Sequence, residues 1–240
     1  ELVAKAQEMS SDVKRLEAEA NLADQELMVV LHKIENVVLE GVPAGSEENF
    51  VVLKEVGNKP EFSFEAKDHV FLGESLDVID IERGAKVSGS RFYFLKGLGA
   101  RLELALMQLA LDQASEAGFT ALITPTLVKP EIMQGTGFLG EHSGEVYYLP
   151  ADDLYLTGTS EVALAGYHSG EILDDLTTPM RYAGWSTCYR REAGSHGKDT
   201  RGILRVHQFN KLEMFSYCKP EDAEAEHAKL LEWQEQMLQK

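Results

Sequence analysis

Residues 181–215 read RYAGWSTCYRREAGSHGKDTRGILRVHQFNKLEMF, and the fold turns on how that run is parsed. Aromatic and β-branched flanks surround 193–202, which is rich in Gly, Ser and Asp, so the run predicts two strands joined by a loop. Side chains alternate along a strand. Ile203, Arg205, His207, Phe209, Lys211, Glu213 and Phe215 are therefore expected on one face, with Leu204, Val206, Leu212 and Met214 on the other. The second set makes an ordinary core face. The first cannot be buried dry, because cations, an imidazole and a carboxylate need partners of opposite charge, so it is expected to meet water or a polar ligand. On the preceding strand Arg190 and Glu192 share a parity and Arg191 points the other way. Antiparallel pairing would lay Arg190 and Glu192 on one floor with Arg205, Phe209 and Glu213. Arginine's planar fork suits phosphate and carboxylate, and an open phenylalanine between charges offers a flat base a stacking surface. The pattern suits a nucleoside phosphate; a salt-bridged surface hairpin is the plain alternative.

The charge of the rest of the chain makes this run an island. Over 240 residues the net charge is −17, which argues against indiscriminate nucleic-acid binding because phosphate contact depends on Lys and Arg. Within 181–213, however, Arg181, Arg190, Arg191, Lys198, Arg201, Arg205 and Lys211 stand against Glu192, Asp199 and Glu213, seven cations to three acids. Hydrophobic content of 44% excludes a wholly disordered chain. No apolar run reaches the roughly 18 residues that a membrane span needs, and no signal peptide opens the sequence. The two cysteines, Cys188 and Cys218, lack metal-ligand spacing, so free thiols in a reducing, cytoplasmic setting are expected.

Working outward, residues 1–34 carry Leu2, Met9, Leu16, Ala23 and Val30 every seventh position, interleaved with Ala6, Val13, Ala20, Leu27 and Ile34. That is a coiled-coil seam, uninterrupted by Pro or Gly, and a seam needs a partner helix. The partner lies either upstream or in another chain. Residues 36–60 read as an acidic, turn-forming linker. A short strand is expected at 62–65, a helical segment at 68–83, a strand at 91–95, a leucine-rich helix at 97–117 and a strand at 119–124 stopped by Pro125. Residues 145–149 and 153–157 read as a strand pair that ends near Thr159, Ser160 and Glu161. Those three belong either to a binding loop or to a helix N-terminus capped by the threonine. Gly135-Thr136-Gly137 reads as a turn rather than a phosphate loop, since no Lys-Ser or Lys-Thr follows. Residues 221–240 form an acidic amphipathic helix.

Tyr189-Arg190-Arg191-Glu192, a loop, then Arg205, Phe209 and Glu213 at four-residue steps resembles the second signature motif of class II aminoacyl-tRNA synthetases. The longer string CYRREAGSHGKDTRGILRVHQFNKLEM resembles the seryl-tRNA synthetase version, and Thr159-Ser160-Glu161 is similar to that family's serine-binding element. The resemblance implies an α+β fold, with a class II synthetase-like antiparallel β-sheet flanked by helices and one long coiled-coil arm helix before it. Residues 1–35 would be the second helix of a tRNA-binding arm, and 61–240 the N-terminal portion of the catalytic domain. Motif 1 falls at about 97–125, where helix and strand would serve a homodimer interface or an internal core, and motif 2 at about 181–215.

The implied activity is ATP-dependent joining of serine to tRNA(Ser), with Mg2+ travelling on the phosphates. By resemblance Arg190 is the catalytic cation. Arg190, Arg191, Glu192, Arg205, Val206 and Phe209 would bind ATP; Thr159, Ser160, Glu161, Arg190 and Glu213 would bind serine; no residue is assigned to metal. His196 is read as a plain loop residue, and Asp199 and Arg201 as a pair within that loop. Gly158 and Ala163 stand where many relatives carry proline. The third signature motif and the outgoing arm helix have no counterpart in the chain, so an internal piece with little activity alone is expected. Two other readings stay open on the residues: a truncated paralogue charging a carrier protein, and a non-catalytic dimerisation or RNA-binding module.

Overall fold

The computed structural model describes residues 2–35, 37–193 and 201–240 and divides the chain into two compact units, Glu1–Ser63 and Phe64–Lys240. In the first unit, helix α1 (Leu2–Leu31) fills most of the predicted heptad stretch. Ala, Leu, Glu, Gln, Lys and Met dominate it, with neither Gly nor Pro among its thirty residues. None is buried, and seam residues such as Met9, Leu16 and Leu27 are more than half exposed. Residues 37–62 hold little regular structure beyond one turn of 3₁₀ helix at Glu47–Asn49, as a linker composition implies.

The second unit begins with α2 (His69–Ser75), β1 (Ile79–Asp80), α3 (Ile81–Ser88) and β2 (Phe94–Leu95). The single helical segment expected at 68–83 is thus two helices, because Ile79 and Asp80 leave the helical path to pair with Leu95 and Phe94. Asp68 caps α2 and Asp80 caps α3, each accepting a backbone N–H three residues on, which fixes where both helices restart. The strand expected at 62–65 is absent. The long leucine-rich helix α4 (Leu98–Glu116) follows Gly97 and delivers the chain to β3 (Thr120–Ile123).

Two three-stranded sheets then build the core. One has β4 (Leu127–Val128) and β5 (Tyr147–Leu149) on either side of β6 (Leu154–Leu156), all antiparallel. The other sets β7 (Met180–Tyr189) between parallel β3 and antiparallel β8 (Gln208–Tyr217). Short helices α5 (Pro130–Gly135) and α6 (Glu161–Ala165) lie between strands, and α7 (Ala223–Leu238) closes the chain. One backbone bond joins the two sheets, Tyr189 N–H donating to Thr157 O, while Thr157 N–H to Thr126 O and Thr124 N–H to Trp185 O extend the pairing within each. The end of β6 is thereby held beside the end of β7, and this is what assembles the site.

The β7–β8 register pairs Gly184 with Glu213 and Cys188 with Phe209, so the two faces of the hairpin can be assigned. Ala183, Leu212 and Met214 pack with Ala114, Phe119, Leu230 and Trp233 under α4 and α7. On the opposite face a side chain at Gly184 would not fit, because an added Cβ would stand 2.9 Å from a Leu164 methyl carbon of α6. Cys188 is fully buried there and Cys218 half-buried; both are free, and burial pushes the Cys188 thiol above its ordinary pKa. Gly135-Thr136-Gly137 is the turn that ends α5, with the Thr136 hydroxyl donating to the carbonyls of Ile132 and Met133. No helix among the described residues is long and apolar enough to cross a membrane.

Candidate active site

Strand alternation accounts for part of the floor. Phe209, Lys211 and Glu213 share a face of β8; Lys211 Nζ lies 2.6 Å from Glu213 Oε2, and all three side chains are half-buried. Arg190, one residue past the end of β7, joins that face. Its guanidinium carbon stands 5.1 Å from the centre of the Phe209 ring, and its Nε donates to Gly158 O at 3.2 Å. Gly158 packs close to both: a Cβ there would stand in van der Waals contact with Arg190 Cγ and Tyr189 O, at 3.4 Å.

The other wall comes from 157–161. Thr159 is buried, and its hydroxyl donates to Glu213 Oε2 at 3.0 Å while accepting Glu161 N–H at 3.2 Å. The threonine hydroxyl thus holds the N–H of the first residue of α6 and also touches the carboxylate across the site, while Ser160 occupies the N-cap position. Ser160, expected to face a ligand, is fully buried and donates to Gly184 O at 2.9 Å, so its hydroxyl fastens α6 to β7. Glu161 is exposed.

Parity does not carry through the loop. Strand β8 starts at Gln208, not at 203, because Gly202 (φ 86°) sits in left-handed backbone and 201–205 runs as bends; on the other arm Glu192 (φ 54°) is left-handed too. Arg205 reaches the site by another route: its Nη1 donates to Glu192 Oε2 at 2.9 Å, and Arg91 lies 4.0 Å from the same oxygen. Val206 is buried at 6% exposure. His207 fixes the crossing. Its ring Nδ1–H donates to Arg190 O at 2.9 Å, and Arg190 N–H donates to His207 O at 3.0 Å.

Arg191 is not part of this group. Its Nε donates to Val146 O at 3.0 Å and its guanidinium lies 4.9 Å from the centre of the Tyr147 ring, turned away from Phe209 as its parity requires. Arg201 lies 3.1 Å from Asp68, and its expected pairing with Asp199 falls outside the described residues. His196, Lys198 and Asp199 fall outside the described residues.

Sequence reasoning missed Arg91, Glu145 and His69. Glu145 accepts Ala193 N–H through its side chain and Arg191 N–H through its carbonyl, across 48 residues of sequence. No local pattern marks such partners. Arg91 alone carries a signal after the fact, a non-glycine residue at φ 61°.

Arg190 is the least engaged cation of the group, exposed and with no carboxylate partner among the described residues. An exposed guanidinium over an aromatic ring, with carboxylates of Glu192 and Glu213 on either side, can bind an anion and a flat ring together. Among the described residues, no group of three or more His, Cys, Asp or Glu could hold a metal ion.

Comparison with known proteins gives one family model, "tRNA synthetase class II core domain (G, H, P, S and T)", matched by residues 148–240. The chain is 68% identical over 239 residues to a serine–tRNA ligase of Leifsonia xyli subsp. xyli, covering 100% of this chain and 56% of that protein. The structure of the seryl-tRNA synthetase from Pyrococcus horikoshii, complexed with ATP, superposes with a TM-score of 0.89 at 36% identity, covering 100% of this chain and 58% of that one. A cytoplasmic serine–tRNA ligase from Naegleria fowleri, in complex with AMP, gives 0.84 at 34% identity over 94% of this chain and 54% of that one. The chain thus spans about 56% of the length of the curated relatives it matches.

Proposed function

We propose that this chain, homologous along its whole length to the serine–tRNA ligases of class II, carries the nucleotide and amino-acid sites of an enzyme that activates serine with ATP and passes it to tRNA(Ser). The observation that carries the reading is Arg190 over Phe209, with Glu192 to one side and the Thr159–Glu213 pair to the other.

In the first step a serine carboxylate oxygen would attack the α-phosphorus of ATP, and the bond from that phosphorus to the bridging oxygen of pyrophosphate would break. Two anions must meet, so a cation touching both lowers the barrier as charge develops. Arg190 is the residue suited to that, since its remaining N–H groups face no carboxylate among the described residues. Phe209 would stack on the adenine, Glu192 would accept from the adenine amino group, Val206 would offer backbone beside it, and Arg205 would meet the terminal phosphates. Thr159 and Glu161 would hold the serine ammonium, with Glu213 close by. Ser160 and Arg191 would support the site from behind it. In the second step the activated serine would move to the terminal ribose of the tRNA.

Mg2+ belongs to the reading only as an ion carried by the triphosphate, which suits a cation that keeps several waters and few protein ligands. No step here is routed through it. The exposed seam of α1 supports an arm that pairs with a second helix and meets tRNA. Leu98, Leu102, Leu106 and Leu109 lie on one face of α4 and remain exposed, with Ile123 at 91%, which supports a homodimer through this region. Free Cys188 and Cys218 suit the cytoplasm.

The test is serine-dependent exchange of pyrophosphate into ATP by the complete protein. Arg190→Ala is expected to lower the rate by at least about a hundredfold, the scale of losing one transition-state donor. Exchange at the wild-type rate would remove Arg190 from the mechanism.

A further inference from the structure

The segment that brings Arg205 to the site is gripped from a distant part of the chain. Ile203 N–H donates to His69 Nε2 at 3.1 Å, across 134 residues of sequence. His69 is the first residue of α2, and Asp68 before it caps that helix through Oδ1 while its Oδ2 lies 3.1 Å from Arg201. Between the two tethers Gly202 passes so close that a Cβ would stand 1.9 Å from His69 Nε2 and 2.8 Å from Val70 Cγ2. Its φ of 86° also suits glycine. Downstream, His207 N–H donates to Arg91 O and Val206 is buried. Arg205 therefore sits on a short span pinned at both ends, and its guanidinium meets Glu192.

Apolar packing alone does not fix this span. Leu204 is 72% exposed and Ile203 only half-buried. The upstream pin is polar, and it needs an acceptor at position 69: an imidazole nitrogen without a proton serves, and lysine or arginine could not. The Asp68–Arg201 pair is exposed and contributes little by itself.

We infer that His69 is a positioning residue for the nucleotide site: by accepting Ile203 N–H it sets the path of 201–206 and so presents Arg205 to the terminal phosphates of ATP. The inference rests on the nucleotide reading of Arg190, Phe209 and Arg205 given above. It predicts an effect on ATP and none on serine, because Thr159, Glu161 and Glu213 are held by β6, α6 and β8 without this span.

The experiment compares His69→Ala, His69→Gln and Phe209→Ala in the complete protein, by steady-state pyrophosphate exchange and by amide hydrogen exchange at Ile203. In His69→Ala, Ile203 is expected to exchange faster and the KM for ATP to rise roughly three- to tenfold, the range for one net hydrogen bond, with the KM for serine unchanged. Glutamine can accept through its side-chain oxygen, so His69→Gln is expected to recover most of both losses. Unchanged exchange at Ile203, or an equal rise in both KM values, overturns the inference. So does failure of glutamine to rescue in a variant that melts like wild type. If Phe209→Ala weakens ATP and His69→Ala does not, the positioning role alone falls. If Phe209→Ala leaves ATP untouched, the nucleotide reading falls and takes this inference with it.

Discussion

The β7–β8 hairpin carries an arginine–carboxylate–aromatic set at each end, and the two sets have opposite fates. At one end Arg181 donates twice to Glu226, at 2.9 and 2.6 Å, and stands 5.5 Å from the Trp233 ring centre; Ser216 and Lys229 donate to the same carboxylate. Their side chains are 17% and 4% exposed for Arg181 and Glu226. At the other end, on the opposite face, Arg190 makes one bond to a carbonyl and lies open over Phe209. The residue types are the same; what differs is satisfaction. A guanidinium paired twice to a buried carboxylate has nothing left to offer a ligand and serves to dock α7, whereas one held by a single weak bond is preset in position and still available.

If that distinction is right, the two ends should separate stability from activity. Glu226→Ala leaves Arg181 buried without its partner and should cost about 3–5 kcal/mol of unfolding free energy, measured by denaturant titration. Its loss should hardly alter the KM for ATP of the protein that remains folded. Arg190→Ala should do the reverse, abolishing most exchange while shifting stability by less than about 0.5 kcal/mol, as for an exposed side chain. Phe209→Ala should raise the KM for ATP by about five- to a hundredfold, the range for one base–aromatic stack. A variant at either end that moved both quantities together would erase the contrast.

Acid sharpens the same contrast. Hydrogen bonds from Arg181, with help from Lys229 and Ser216, hold the Glu226 carboxyl down at about 2, against burial that pushes it up. Because the folded value lies below the unfolded one, the stabilisation is complete above the ordinary glutamate range near 4.5 and drains away as pH falls toward 2. Wild-type unfolding free energy should therefore fall between those pH values more steeply than that of Glu226→Gln. Parallel curves would mean that this carboxylate is not what acid attacks.

What the sequence made legible is what depends on near neighbours. Heptads with no Gly or Pro specify α1, and Gly97 and Gly118 bracket α4. Alternation sorts Phe209, Lys211 and Glu213 from Leu212 and Met214, and the register bears this out. Alternation fails where the backbone leaves the strand. Glu192 at φ 54° and the bends of 201–205 bring Arg205 to Glu192 by a path that parity does not describe. Ser160 shows a second limit: the pattern locates the element, but which of its three side chains turns inward depends on the glycine at 184, whose bare carbonyl region Ser160 and Leu164 fill. His69 and Glu145 act across gaps of 134 and 48 residues, beyond any spacing rule.

The smallest expected effect compares neighbours rather than ends. Arg190 and Arg191 are adjacent, equally charged and opposite in parity, so strand geometry alone assigns them different work. Arg191 lies against Tyr147 and donates to Val146 O, which ties the end of β7 to the entry of β5; a cation over an aromatic ring at a partly exposed site contributes about 0.5–1 kcal/mol. Arg191→Ala should therefore lower stability by that amount and change the KM for ATP less than about threefold, an indirect effect worth no more than one weak hydrogen bond. A loss of exchange comparable to that of Arg190→Ala would mean that the Arg191 side chain leaves Tyr147 when nucleotide binds. The two arginines would then have to be treated as one phosphate clamp, and the single open guanidinium would no longer distinguish this end of the hairpin.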